Sequence, residues 1–153
     1  MRGKLAILIP ILALAALLPA AARGGERPWY AWWPPVPGAR VSSPFGERAD
    51  PFSGGGVSFH AGTDFAAPAG MPVYAAAAGI AKVGYDEEGW GVFVIVRDRE
   101  REYHYYHLSE AAVRTGDRVE AGQVIGHVGS TGASTGPHLH FAVKVNLDPL
   151  SLL

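Results

Sequence analysis

From Val41 onward, glycine and proline interrupt the chain so often that only short runs remain between them. These are "MPVYAAAAGIAKVG", "GVFVIVRD", "EYHYYHLS", "QVIGHVG" and "HLHFAVKV". Branched and aromatic side chains dominate the runs, and no long stretch repeats its apolar residues every 3.6 positions. Such side chains pack well on a pleated surface, and Gly and Pro supply the turns. The pattern predicts a mostly β domain built from antiparallel strands. Only "Glu110-Ala111-Ala112-Val113" reads as a turn of helix. A faint repeat runs through the same region. "GMPVYA" (Gly70 to Ala75) matches "GDRVEA" (Gly116 to Ala121), and "AKVG" (Ala81 to Gly84) matches "GHVG" (Gly126 to Gly129). Two similar β-units in one small domain follow from it.

The N-terminus has a different character. Arg2 and Lys4 precede an apolar run from Leu5 to Leu18, and Ala20-Ala21-Ala22 offers a small-residue cleavage site. Residues 1–22 read as a signal peptide, with an uncleaved N-terminal anchor as the rival. Export to the periplasm, cell envelope or medium follows, with any membrane contact confined to this segment. Residues 23–40, "RGGERPWYAWWPPVPGAR", hold too many prolines for a regular helix or central strand. They read as an extended linker whose aromatics pack on the domain; a wall- or membrane-surface contact, or a cover over the active site, is the alternative. The remainder, 41–153, is the folded domain. The mature chain carries 11 basic and 14 acidic residues, which argues against nucleic acid as a partner. With no cysteine, thiol nucleophiles, iron–sulfur sites and disulfides are excluded. The domain is expected to be a monomer.

The chemistry concentrates in histidines. His138 and His140 follow Gly136-Pro137 and are two apart on a strand, so both project from one face while Leu139 and Phe141 point to the core. The bland reading is a solvated face with two chance histidines. "FHAGTDF" then places His60 and Asp64 four apart. The surrounding glycines and Pro68 argue for a strand end and a tight turn rather than a helix, with Gly62 letting the backbone fold back. A histidine and a carboxylate converging there suit zinc, and three protein ligands leave a fourth position for water. In "YHYYHLS", alternation puts His107 on one face with Tyr103 and Tyr105, and His104 with Tyr106 on the other. His104 and His107 are therefore expected not to serve one site. His104 reads as structural, as does His127, which alternates with valines.

At these residues the chain resembles the LytM/lysostaphin-type zinc metallopeptidases, which cut peptides in bacterial cell walls. The resemblance runs from about Val41 to the C-terminus. It includes "SPFGER", "HAGTDFAAPAGMPVYAAAAG", "YYHLS", "GDRVEAGQVIGHVGSTGASTGPHLHF" and the closing "DPLSLL". It implies one zinc ion held by His60, Asp64 and His140, with His107 and His138 as the catalytic residues flanking the open position. It also implies an antiparallel β-groove of the duplicated hybrid motif type, and peptidoglycan peptides as substrate. Either His107 or His138 could take the proton from the attacking water. The chain departs from the family in its abbreviated end, "VKVNLDPLSLL", which predicts a short last hairpin and groove wall. The runner-up function is a non-catalytic module that activates other wall hydrolases, but such modules typically lose metal ligands. "GDRVEAGQVIG" is also similar to the hairpin of biotinyl and lipoyl carriers. No lysine between Lys82 and Lys144 could carry the group.

Overall fold

The structure is a computed structural model that describes residues 33–50 and 55–145. The segment read as signal peptide or anchor, residues 23–32 of the linker, and residues 146–153 of the abbreviated end lie outside the described residues. The described residues form strands β1 (Arg40–Ser43), β2 (Gly46–Ala49), β3 (Val57–His60), β4 (Thr63–Ala66), β5 (Pro72–Tyr74) and β6 (Gly79–Asp86). They continue with β7 (Gly91–Arg97), β8 (Arg101–Ala111), β9 (Arg118–Val119), β10 (Val124–Val128) and β11 (His138–Val145). The main sheet runs β1-β4-β11-β8-β7-β6-β9, with β10 joined to β8 and β5, while β2 and β3 form a separate hairpin. Every pairing is antiparallel. Each run singled out in the sequence contributes a strand. Glu110 and Ala111 are not helical; they extend β8, because their backbone pairs with His127 and Gly126 of β10. A cross-strand ladder outweighs the local helix preference of Glu-Ala-Ala.

One face of the main sheet carries the core. Tyr103, Tyr105 and Leu108 of β8, Val94 and Val96 of β7, and Leu139 and Phe141 of β11 are all buried on it. Leu139 and Phe141 thus sit where alternation predicts. The opposite face carries His138 and His140 of β11 beside Tyr106 and His104 of β8. Phe93, Ile95 and Tyr106 form a second, smaller apolar cluster there.

The faint repeat appears as reciprocal pairing. β5 of the first unit pairs with β10 of the second, and β9 of the second pairs with β6 of the first. The bonds match as well. Gly70 N–H donates to Val128, whose own N–H donates to the Met71 carbonyl. Gly116 N–H donates to Ala81, whose N–H donates to the Asp117 carbonyl. Both glycines have positive φ, 82° and 96°, a conformation that glycine adopts readily. The two units are therefore interlaced, and neither completes its pairing alone. Part of the proline-rich segment packs on this region too. Trp33 N–H donates to Ala76, Tyr74 N–H donates to Pro35, and Val36 is buried in the core.

Tyr105 closes one gap in the backbone bonding: its hydroxyl accepts the N–H of buried Ala76 at 2.8 Å. In Tyr105→Phe this donor loses its partner, and a loss of about 1–3 kcal/mol in unfolding free energy is expected by denaturant titration. Tyr85→Phe, at an exposed position, is the control and should stay within about 0.5 kcal/mol of the parent. Equal stability of the two variants would contradict the assignment.

Candidate metal centre

His60 ends β3, Asp64 is the second residue of β4, and His140 lies opposite Asp64 in the β4–β11 register. The turn Ala61-Gly62 thus carries the chain from the small hairpin to the main sheet and folds His60 back over Asp64. Asp64 Oδ1 is 2.8 Å from His140 Nδ1 and 3.1 Å from His60 Nε2, and the two nitrogens are 3.0 Å apart. An ion with bonds of roughly 2.0–2.2 Å to nitrogen and oxygen fits over such a triangle. Two imidazoles and one carboxylate suit zinc, and all three residues are at least half-buried. His60 Nδ1–H donates to the Pro44 carbonyl at 2.8 Å, which turns Nε2 toward the cluster.

Gly62 serves this geometry through its missing side chain. A Cβ there would lie 2.5 Å from His140 Nε2 and 2.7 Å from the Phe141 carbonyl oxygen. Its φ is not in the left-handed region, so clearance for the His140 ring, rather than backbone freedom, is the reason for glycine.

Arg48 binds the outer oxygen of the carboxylate, with Nη1 at 3.0 Å from Asp64 Oδ2, and also donates to Ser43 Oγ at 2.6 Å. Burial pushes the Asp64 pKa up. The hydrogen bond from His140, the charges of His60 and His140, and the bond from Arg48 outweigh that and bring it to about 2. The carboxylate is therefore ionised at neutral pH, as a metal ligand must be.

His138 stands off from the triangle, with Nε2 3.9 Å from Asp64 Oδ1. Its Nδ1–H donates to the Gly136 carbonyl at 2.8 Å. His107 faces it, with ring centres 4.8 Å apart, and His107 Nδ1–H donates to the Thr131 carbonyl at 2.9 Å. A carbonyl can only accept, so both neutral rings carry the proton on Nδ1 and keep a bare Nε2. Burial lowers the His107 pKa; the Thr131 bond opposes this, while His138 and His140 add to it.

Strict alternation, which groups His107 with Tyr103 and Tyr105, is corrected here. Tyr103 and Tyr105 point into the core, and His104 and Tyr106 share the His140 face. His107 reaches that side because β8 bulges. Its φ is 63°, and between Val92↔Leu108 and Val94↔Tyr105 the strand β8 spends one residue more than β7. Leu108 can then return to the core. A left-handed non-glycine residue costs about 1–3 kcal/mol and persists where its surroundings fix it. Those surroundings are specific. Trp90 accepts the His107 N–H at 2.8 Å. The Thr131 hydroxyl accepts from Val92 N–H at 2.9 Å and donates to the Leu108 carbonyl at 2.7 Å, bridging both strands at the bulge.

Tyr106, Trp90 and Arg48 are further residues that spacing alone does not single out. Tyr106 stacks on His140, with ring centres 5.4 Å apart and planes at 10°, and Trp90 stacks on Tyr106 at 4.8 Å and 2°. Their signal in the sequence is aromatic residues beside a histidine and before a glycine, which also reads as ordinary core. His104 is buried with both nitrogens bonded, to the Tyr106 hydroxyl at 2.5 Å and to Glu102 at 3.1 Å. It supports Tyr106 from the site face rather than from the opposite one. His127 lies away from the cluster on β10, where Nδ1 is 3.0 Å from Glu110, a carboxylate supplied across the strands.

The chain belongs to peptidase family M23, whose model matches residues 58–151, more than half its length. It is 42% identical over 118 residues to the DD-carboxypeptidase/endopeptidase Mpg of Neisseria meningitidis, an alignment that covers 76% of this chain and 27% of that protein. It is 40% identical over 113 residues to the peptidoglycan DD-endopeptidase ShyC of Vibrio cholerae, covering 73% and 26%. It also resembles the crystal structure of a zinc-containing peptidase from Vibrio cholerae, with TM-score 0.68, 36% identity, and 75% of this chain and 37% of that one covered. The chain thus spans about a quarter of the length of the curated relatives it matches.

Gly62→Ala is expected to weaken zinc binding by about tenfold or more while the far-UV circular dichroism spectrum stays that of the parent, since it displaces the His140 ring. Competition with a chromophoric chelator measures this. Unchanged affinity in the folded variant would contradict the clearance role.

Proposed function

We propose that this chain carries a zinc metalloendopeptidase domain that hydrolyses peptide bonds of bacterial peptidoglycan, in the stem or the cross-bridge. The observation that carries this reading is a three-atom ligand cluster with two further histidines beside it, each turned by a backbone carbonyl to present a bare Nε2. His60 Nε2, Asp64 Oδ1 and His140 Nδ1 would hold the metal. Zinc bound there supplies a Lewis acid and lowers the pKa of a coordinated water to about 7. His138 and His107 are the catalytic residues. The bare nitrogen of one of them accepts a proton of the attacking water and returns it to the leaving amine. Once protonated, either ring stabilises negative charge on the carbonyl oxygen. Arg48 holds Asp64 ionised and in place. The stacked Tyr106 and Trp90 fix the tilt of His140, so the ligand needs little rearrangement to bind. The similarity to Mpg and ShyC supports peptidoglycan as the substrate, and hence action in the cell envelope or outside it. All five histidine and aspartate positions are present, which favours an enzyme over a non-catalytic activator.

The roles separate in paired variants. His140→Ala is expected to lose both zinc and cleavage of defined muropeptides. His138→Ala and His107→Ala should keep about one zinc per chain and lose activity by on the order of 10²-fold or more. Elemental analysis alongside mass spectrometry of the products reads both quantities. Loss of zinc in His138→Ala, with zinc retained in His140→Ala, would reverse the assignment.

A further inference from the structure

Beyond the metal cluster, the same sheet face continues along β11 and β8 to a cavity of about 530 Å³. Lys82, Arg97, Glu102, Lys144, Trp90 and Thr115 are among the residues lining it. Trp90 and Lys144 also line the hollow over His60, Tyr106 and His140, so the two spaces lie side by side. The charges in the cavity are unbalanced. Arg97 donates to Glu102 through Nε at 2.8 Å, and the other oxygen of Glu102 takes His104 Nε2 at 3.1 Å. The single carboxylate is thereby used up. Lys82 and Lys144 have no ion pair among the described residues. Two cations without an ion pair among the described residues thus line one cavity, in a chain whose formal net charge is −1.

Lys144 lies four residues after His140 on one strand and one face. That places its backbone roughly 13 Å from the ligand, about the length of four residues of extended peptide. A carboxylate is the group that two lysine ammoniums at the end of a peptide groove would recognise, since each presents three donors and a full charge. We propose that this cavity is a carboxylate-binding subsite, in which Lys82 and Lys144 hold an acidic group of the substrate three to four residues from the bond that is cut. The inference rests on the reading of the cluster as a peptide-cleaving zinc centre. It adds a substrate class: peptides with a free carboxylate at that distance are preferred over their carboxamides.

The test compares two wall peptides that differ only in that group, free acid and carboxamide, using the zinc-loaded full chain. Cleavage kinetics and calorimetric binding are measured for the parent and for the Lys82→Gln, Lys144→Gln double variant. The parent is expected to favour the acid about five- to tenfold in kcat/KM, mostly through KM, and the preference should shrink as salt rises. In the double variant the ratio should fall to within about twofold, with zinc content unchanged. Equal treatment of acid and amide by the parent, in binding and in cleavage, would overturn the subsite. So would a preference that survives in the double variant. If neither peptide is cut but the parent binds the acid more tightly and the double variant does not, the subsite stands and the catalytic reading fails.

Discussion

The alignment of three strands, β4, β11 and β8, is the constraint on which the site depends. Their ladder sets Asp64 opposite His140 and His140 opposite Tyr106. Side chains opposite one another in antiparallel strands share a face, so this register alone gathers a carboxylate, an imidazole and a supporting aromatic ring at one level. A slip of one residue in β11 would send His138 and His140 into the core and Leu139 to the groove. Leu139 is fully buried and Phe141 nearly so. The hydrophobic cost of exposing them, about 1.5–3 kcal/mol each, therefore guards the geometry of the polar face. Core and site are specified by the same alternation.

The ladder accounts for Asp64, His138 and His140 but not for His60 and His107, which depend on local departures from regular strand. His60 reaches the cluster because the chain changes sheets at Ala61-Gly62. His107 reaches it because β8 bulges, with its backbone in a conformation that costs energy. In both cases a backbone carbonyl then fixes the ring: Pro44 for His60 and Thr131 for His107. His138 is fixed the same way by Gly136, just before its strand begins. Three rings oriented by main-chain acceptors need no further side chains to set their tautomers. The polar face can therefore stay open toward a substrate while its histidines remain fixed.

Much of this was legible in the sequence, for identifiable reasons. Glycine and proline mark strand ends, so the positions of β5 to β8, β10 and β11 followed from punctuation. The pair two apart and the pair four apart with a glycine between them pointed to a shared cluster, and those residues do lie together. The bulge at His107 was not legible. No glycine marks it within β8, and it is set by Trp90 and Thr131, which are distant in sequence. Period-two reasoning therefore put His107 on the wrong face and hid the fact that His104 stands on the site side. Glu110-Ala111 misled for a similar reason, since its fate is decided by β10. Arg48 and Tyr106 were not marked as site residues because an arginine on a short strand and a tyrosine on a long one have many ordinary uses.

Anomalous X-ray scattering at the zinc edge from crystals of the zinc-loaded protein is the most direct test of the central claim. One strong peak is expected at roughly 2.0–2.2 Å from His60 Nε2, Asp64 Oδ1 and His140 Nδ1. The Nε2 atoms of His107 and His138 should stand beyond bonding distance on its open side. A peak bonded to His138, or coordination of His140 through Nε2, would contradict the account.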